Sequence, residues 1–182
     1  MSNLAVSDLP LAGLKLIKPR VFEDARGYFV ETYHLQKFEA DVVRDVFVQD
    51  NLSSSKRSVL RGLHYQHPHA QGKLVTVIEG EIYDVVVDIR RNSSTFGKWF
   101  GVTLSEQNHL QFYVPPGFAH GFCVTSDHAR VLYKCTDLYN PDCEHTILWN
   151  DPEIGIAWPV AEPLISDKDA KGVPLRDAMI PG

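Results

Sequence analysis

The sequence predicts an all-β sandwich or barrel carrying one short helix. Three observations lead there. Short segments rich in Val, Ile, Phe and Tyr recur at roughly ten-residue spacing, with Gly, Pro, Asn and Asp between them. Strict alternation runs from residue 82 to 89, with Tyr83, Val85, Val87 and Ile89 on one face and Ile82, Asp84, Val86 and Asp88 on the other. Only residues 34–43 show helical spacing, through Leu35, Phe38 and Val42.

Residues 1–13 are mixed in character and read as irregular. Residues 14–22 read as one or two strands, interrupted at Pro19, and residues 23–27 as an Asp- and Gly-containing turn. Residues 28–33 are aromatic and β-branched, hence a strand. A further strand covers 46–51, and the run from Asn51 to Ser58 is polar. Strands follow at 73–78 and 82–89, with Glu79-Gly80-Glu81 as a tight hairpin between them. The acids Asp84 and Asp88 share a face that is either solvated or lines a polar cavity. Residues 92–95 form a loop. Strands are expected at 99–104, 110–114, 118–124 and 129–137, with Pro115-Pro116-Gly117 as a rigid turn. A last strand covers 144–149, and the Pro- and Asp-rich remainder holds one short helical turn. No repeat, low-complexity tract or linker interrupts the chain, so residues 1–182 read as a single domain.

The 182 residues are enough to bury a sizeable core, and 44% hydrophobic with 23% charged residues is an ordinary globular balance. A net charge of −5 argues against non-specific nucleic-acid binding, which needs a concentrated basic face. It leaves room for a small anionic ligand, because a few cations in a cleft dominate locally. Cys123, Cys135 and Cys143 form no CxxC pair and read as reduced thiols, which with the absence of a targeting pattern points to a cytoplasmic protein. No apolar run reaches membrane-spanning length.

The chemistry gathers around Arg61-Gly62-Leu63-His64-Tyr65-Gln66. A histidine sits in mid-strand, where an apolar residue would pack more easily. Its free pKa lies nearest neutrality, which suits a proton carrier; a structural histidine with a satisfied hydrogen bond is the alternative, and the hexapeptide alone leaves both open. Proton abstraction beside a ketone needs a base, a donor for the enolate oxygen and an acid to return a proton. His64 can be the base, Lys73 the enolate donor and a tyrosine the acid. Tyr133 and Tyr139 are six apart and share a face on a continuous strand. Alternation puts Arg61 and His64 on opposite faces unless Gly62 marks a bulge.

Pro115-Pro116-Gly117-Phe118-Ala119-His120 resembles the second motif of cupin barrels. The first cupin motif, His-x-His followed by a carboxylate, binds a divalent metal. Here His67-Pro68-His69 lies in a loop and Lys73 stands where the carboxylate would be. A cation repels a metal ion, so no metal is expected, and His67 and His69 read as exposed loop residues.

Longer strings carry a more specific resemblance. They are Arg61-Gly62-Leu63-His64-Tyr65-Gln66, Gln71-Gly72-Lys73-Leu74-Val75, Ser94-Thr95-Phe96-Gly97-Lys98-Trp99, Pro115 to Phe122, Leu132-Tyr133-Lys134, Trp149-Asn150-Asp151-Pro152 and Leu164-Ile165-Ser166-Asp167-Lys168-Asp169. Together they are similar to the dTDP-4-dehydrorhamnose 3,5-epimerase family, from about residue 13 to 171. The resemblance implies a cupin-like jelly roll, or double-stranded β-helix, with a few short helices. It implies no cofactor and a homodimer with exchanged N-terminal strands. The implied substrate is dTDP-4-dehydro-6-deoxy-D-glucose, inverted at carbons 3 and 5. By motif, His64 would be the base, Asp169 its partner, Tyr133 the acid and Lys73 the donor to the 4-keto oxygen. Arg61 and His120 would hold substrate, and Tyr139 would stack on thymine. Arg26, Glu31, Gln49, Asp50, Asn51, Glu144 and Lys168 would hold nucleotide and sugar, with Arg26 and Glu31 serving a partner's site. A single-carbon epimerase on a related keto sugar, a metal-dependent cupin enzyme and a non-catalytic sugar-nucleotide binder are the competing readings.

Overall fold

The computed structural model describes residues 4–180. Among the described residues there are thirteen strands: β1 (Leu4–Asp8), β2 (Lys15–Pro19), β3 (Val21–Asp24), β4 (Gly27–Val30), β5 (Gln49–Lys56), β6 (Leu60–Gln66), β7 (Lys73–Glu79), β8 (Glu81–Asp88), β9 (Trp99–Ser105), β10 (Gln111–Val114), β11 (Phe118–Val124), β12 (His128–Cys135) and β13 (Glu144–Thr146). The helices are α1 (Leu35–Asp41) and α2 (Asp167–Ala170), with two short 3-10 turns at Pro141–Cys143 and Leu175–Asp177. The two larger sheets run β1-β2-β10-β7-β12-β5 and β13-β6-β11-β8-β9, and every pairing within them is antiparallel. This is the jelly-roll arrangement expected from the sequence.

The alternation in β8 decides the layering. Ile82 and Val86 join Val75, Val77, Phe112, Val131 and Phe122 in a core between the sheets. Val85, Val87 and Ile89 point the other way and are covered by the C-terminal segment through Ile147, Ile154, Leu175 and Ile180. The outer face of the six-stranded sheet is covered by α1, whose Phe38 and Val42 pack on Ile17, Leu74 and Tyr113. Residues three and four apart on one helical face suffice for that contact. Leu35, also in the helical pattern, is exposed.

Three expectations are corrected. The stretch expected to be irregular before residue 13 contains β1, which pairs with β2 from Leu4↔Pro19 to Asp8↔Lys15; residues 1–3 lie outside the described part. The polar run after Asn51 is strand β5, on the edge of its sheet and paired along its length with β12. Its inward row, Asn51, Ser53 and Ser55, is polar because it faces a cleft, while Asp50, Leu52, Ser54 and Lys56 face out. Glu79-Gly80-Glu81 is a tight turn, with Gly80 at φ +77, but β7 and β8 belong to different sheets, so the turn carries the chain across the sandwich.

The bulge at Gly62 is present. Between the pairs His120↔His64 and Phe122↔Arg61, three steps on β6 oppose two on β11. Gly62 has φ +125, and a Cβ there would lie 2.6 Å from the Cα of Gly121. The two backbones approach because neither residue has a side chain, and the extra residue turns Arg61 and His64 toward the same side.

Asp88 ends β8 fully buried. It accepts from Arg90 Nε (2.8 Å) and a second guanidinium nitrogen (2.7 Å), from Ser93 Oγ (2.6 Å) and from Thr95 Oγ1 (2.6 Å). Arg90 also donates to the Ala12 carbonyl and lies 4.5 Å over the Phe118 ring, joining the loop after β8 to the loop before β2 and to the start of β11. Burial raises the Asp88 carboxyl, but the bonds from Arg90, Ser93 and Thr95 reverse this and hold it at about 2, below the ordinary 3.8. A carboxyl depressed in the folded state stabilises the protein above its unfolded pKa and loses that contribution as pH falls toward the folded value. Chemical denaturation of the wild type should therefore show a loss on the order of 2 kcal/mol between about pH 4 and pH 2 from this group. In Asp88→Asn that component should vanish, and the variant should be less stable at pH 7.

Candidate active site

His64 leaves β6 toward the space between the sheets, where the apolar core gives way to polar side chains. Its Nε2 lies 2.5 Å from Asp169 Oδ1, across 105 residues of chain. An ionised carboxylate only accepts, so Nε2 carries the proton and Nδ1 of the neutral ring is left with the lone pair. Asp169 is nearly buried, in α2. Burial raises its carboxyl, yet the bond and charge of His64, the Ser166 hydroxyl and the charge of Lys168 bring it below the ordinary value. It stays ionised at neutral pH.

The opposite wall comes from the six-stranded sheet. Lys73 opens β7 and Tyr133 lies on the neighbouring β12. Burial pushes the Lys73 ammonium below lysine's usual range, against the pull of Cys135, Asp84 and Glu144. Among the described residues its Nζ has no hydrogen-bond or ion-pair partner. Burial raises the Tyr133 hydroxyl, as do Cys135 and Glu144, while Arg61 lowers it; the phenol stays protonated at neutral pH. Ser53, from the inward row of β5, adds a buried hydroxyl with no partner among the described residues. Arg61 reaches the same cleft, donating to Ser55 Oγ at 3.1 Å.

Deeper on the five-stranded side, His120 Nε2 lies 2.9 Å from each oxygen of Asp84. Asp84 and Asp88 are fully buried, so this face of β8 is not solvated: Asp84 backs His120, which lines the cleft, and Asp88 is held by Arg90, Ser93 and Thr95. At the rim, Glu144 of β13 accepts from Tyr139 Oη at 2.7 Å and pairs with Lys168 Nζ at 2.5 Å. Burial raises the Glu144 carboxyl, and Lys168, Tyr139 and His64 bring it below the ordinary value. The resulting cleft has a volume of about 240 Å³. Among the described residues, two cations without a carboxylate partner line it, Arg61 and Lys73, in a protein of net negative charge.

Tyr139 reaches the cleft by a route the spacing did not give. β12 ends at Cys135, so Tyr139 sits on the following loop, with its N–H held by Gln49 Oε1 at 2.8 Å and its ring half exposed. Gln49 also donates to Asn51 Oδ1, and Asn51 Nδ2 points to Cys135 Sγ at 3.6 Å. Asp50 alternates to the outer face, where it pairs with Lys134 at 2.8 Å. Arg26 sits in the β3–β4 turn, paired with Asp24, and Glu31 pairs with Lys37. The fold of one chain does not bring Asp50, Arg26 or Glu31 to the cleft. His67 and His69 lie in the loop expected for them, His69 3.3 Å from Asp137.

Three polar residues escaped the sequence reading as site residues: Ser53, Asp84 and Ser166. Alternation in β5 would have flagged Ser53 had the polar run been read as a strand. The Ser166-x-x-Asp169 spacing is a helix-capping signature.

Residues 8–177 match the family model described as dTDP-4-dehydrorhamnose 3,5-epimerase. A dTDP-4-dehydrorhamnose 3,5-epimerase of Neisseria gonorrhoeae is 54% identical over 168 residues; the match covers 92% of this chain, which spans about half (51%) of that relative's length. The enzyme of the same name from Methanothermobacter thermautotrophicus is 52% identical over 170 residues, covering 92% of both chains. The crystal structure of dTDP-6-deoxy-D-glucose-3,5-epimerase from Legionella pneumophila, in complex with dTDP-4-keto-L-rhamnose, superimposes with a TM-score of 0.93 at 47% identity, covering 95% of this chain and 93% of that one. A cleft with a histidine–aspartate pair facing a lysine and a tyrosine thus coincides with a family match over nearly the whole length, and the chain belongs to the dTDP-4-dehydrorhamnose 3,5-epimerase family.

Proposed function

We propose that this chain inverts carbons 3 and 5 of dTDP-4-dehydro-6-deoxy-D-glucose, giving dTDP-4-dehydro-L-rhamnose. One observation carries the reading: His64 and Tyr133 enter one cleft from facing sheets, with Lys73 beside Tyr133. Inversion requires a proton to leave one face of a carbon and another to arrive on the opposite face. A base and an acid on opposed walls supply that arrangement.

The 4-keto group acidifies the protons on carbons 3 and 5. His64 Nδ1 takes the proton, and the electron pair of the broken C–H bond moves into the enolate. Asp169 stabilises the imidazolium through Nε2, as the acid of a catalytic triad does. The Lys73 ammonium donates to the enolate oxygen, and its partial burial strengthens that interaction. Tyr133 delivers its hydroxyl proton to the other face and is reprotonated from solvent. Once the imidazolium has released its proton to solvent and Tyr133 has been reprotonated, the same groups act at the second carbon, since both carbons flank one ketone. Arg61 supplies charge for the pyrophosphate, the exposed Tyr139 ring offers a stacking surface to thymine, and Lys168 and Glu144 close the rim.

The β3–β4 hairpin fits a homodimer. It pairs with no other strand among the described residues and exposes Phe22, Tyr28 and Phe29. A second copy covering this apolar hairpin would take Arg26 and Glu31 to its own cleft. No helix among the described residues is long and apolar enough to cross a membrane.

Incubation with the keto sugar in deuterated water tests the reaction. Deuterium should enter at carbons 3 and 5. Entry at one carbon alone would make the chain a single-carbon epimerase, and entry at neither would refute the reading. His64→Ala should lower turnover by at least about a hundredfold while still binding dTDP, as measured by calorimetry. Tyr133→Phe should lose inversion to a similar extent yet still wash deuterium into recovered substrate, because the base and the enolate donor remain. Light scattering should report a dimer, and Arg26→Ala should raise KM more than it lowers kcat.

A further inference from the structure

We infer that Ser166 is a positioning residue for proton abstraction, orienting the Asp169 carboxylate that holds His64. The inference rests on the epimerase reading above for its kinetic consequences but not for its geometry. Ser166 Oγ donates to Asp169 Oδ2 at 2.9 Å and accepts the Asp169 N–H at 3.1 Å. Asp169 Oδ1 is committed to His64. Each carboxylate oxygen therefore has one fixed partner, and the plane of the carboxylate is set by Ser166 on one side and the imidazole on the other. With Asp169 nearly buried, a lost hydroxyl leaves Oδ2 short of a donor.

Ser166 is the N-cap of α2, so a purely structural role must be weighed. The backbone already docks this helix from both ends. Leu164 N–H donates to the Ser58 carbonyl and Leu60 N–H to the Leu164 carbonyl. Val173 N–H donates to the Thr146 carbonyl and Leu148 N–H to the Val173 carbonyl. The four-residue helix is thus pinned over β6 and β13 without the serine side chain. The side chain adds two bonds, the cap on the Asp169 N–H and the donation to Oδ2, and only the second touches the carboxylate. The charged and titratable groups around the pair are Lys168 on α2, Glu144 on β13, Arg61 on β6, His120 with Asp84 behind it, Lys73 on β7, Tyr133 on β12 and Tyr139 on the loop. None of these bonds Oδ2 among the described residues.

Ser166→Gly and Ser166→Thr test the inference on the full-length protein. Glycine is a tolerated N-cap, so it keeps the helix while removing the hydroxyl; threonine keeps both. Ser166→Gly should lower kcat on the order of tenfold with KM within about twofold, as for outer partners that orient a functional group. The Asp169 carboxyl, followed by carbon-13 NMR, should take up its proton at higher pH in Ser166→Gly than in the wild type. Ser166→Thr should restore both. A Ser166→Gly enzyme with wild-type kcat, an unmoved Asp169 titration, or a loss that threonine does not restore would each overturn the inference. The NMR readout needs no turnover: a wild type inert toward the keto sugar, with the Asp169 shift still present, would refute the epimerase reading and leave the role of Ser166 standing.

Discussion

The bond between His64 and Asp169 is the constraint on which this structure turns. It joins mid-strand β6 to a four-residue helix 105 residues later. A buried carboxylate is tolerated only with partners, and Asp169 has His64 and the Ser166 hydroxyl. The C-terminal segment must therefore lie where it does. The apolar contacts of Ile147, Ile154, Leu175 and Ile180 against the outer face of the five-stranded sheet hold it there. The same segment seals that sheet and delivers the carboxylate partner of His64.

The sandwich itself is divided between packing and chemistry. Along one part the sheets meet through Val75, Val77, Val86, Phe112, Phe122 and Val131. Along the other, the inward positions hold Asp84, His120, His64, Lys73, Tyr133 and Ser53, and the sheets bound a cleft. Such polar groups cost stability in a core unless paired. Most are paired: Asp84 with His120, Asp169 with His64, Glu144 with Lys168 and Tyr139. Lys73 and the Ser53 hydroxyl have no partner among the described residues, and both face the space where a substrate would sit.

Much of this was legible from local pattern. Alternation in β8 separated the two faces correctly because side chains in a strand point to opposite sides whatever the surrounding fold. Residues 34–43 announced α1 for a similar reason, and Gly62 announced its bulge. The polar run of β5 was misread because strand propensity was sought in apolar residues, whereas its inward row is polar to suit a cleft. The six-residue spacing of Tyr133 and Tyr139 puts both on one face only if the strand is continuous; β12 ends at Cys135, and the following loop brings the Tyr139 ring to the same cleft.

Local residue pattern sets the strand periods, the helix after β4, the unusual histidine in β6 and the cation at Lys73 that disfavours a metal. These are properties of residue type and near-neighbour spacing. Long-range packing places β7 and β8 in different sheets, sets Tyr133 across the cleft from His64 and brings the Ser166 hydroxyl to Asp169 only where that helix docks beside His64. Each depends on contacts between residues far apart in the chain, whose geometry is set by the closing of two sheets on a shared core. No local pattern carries that information, because the same alternation would serve a hairpin as well as a crossing between sheets.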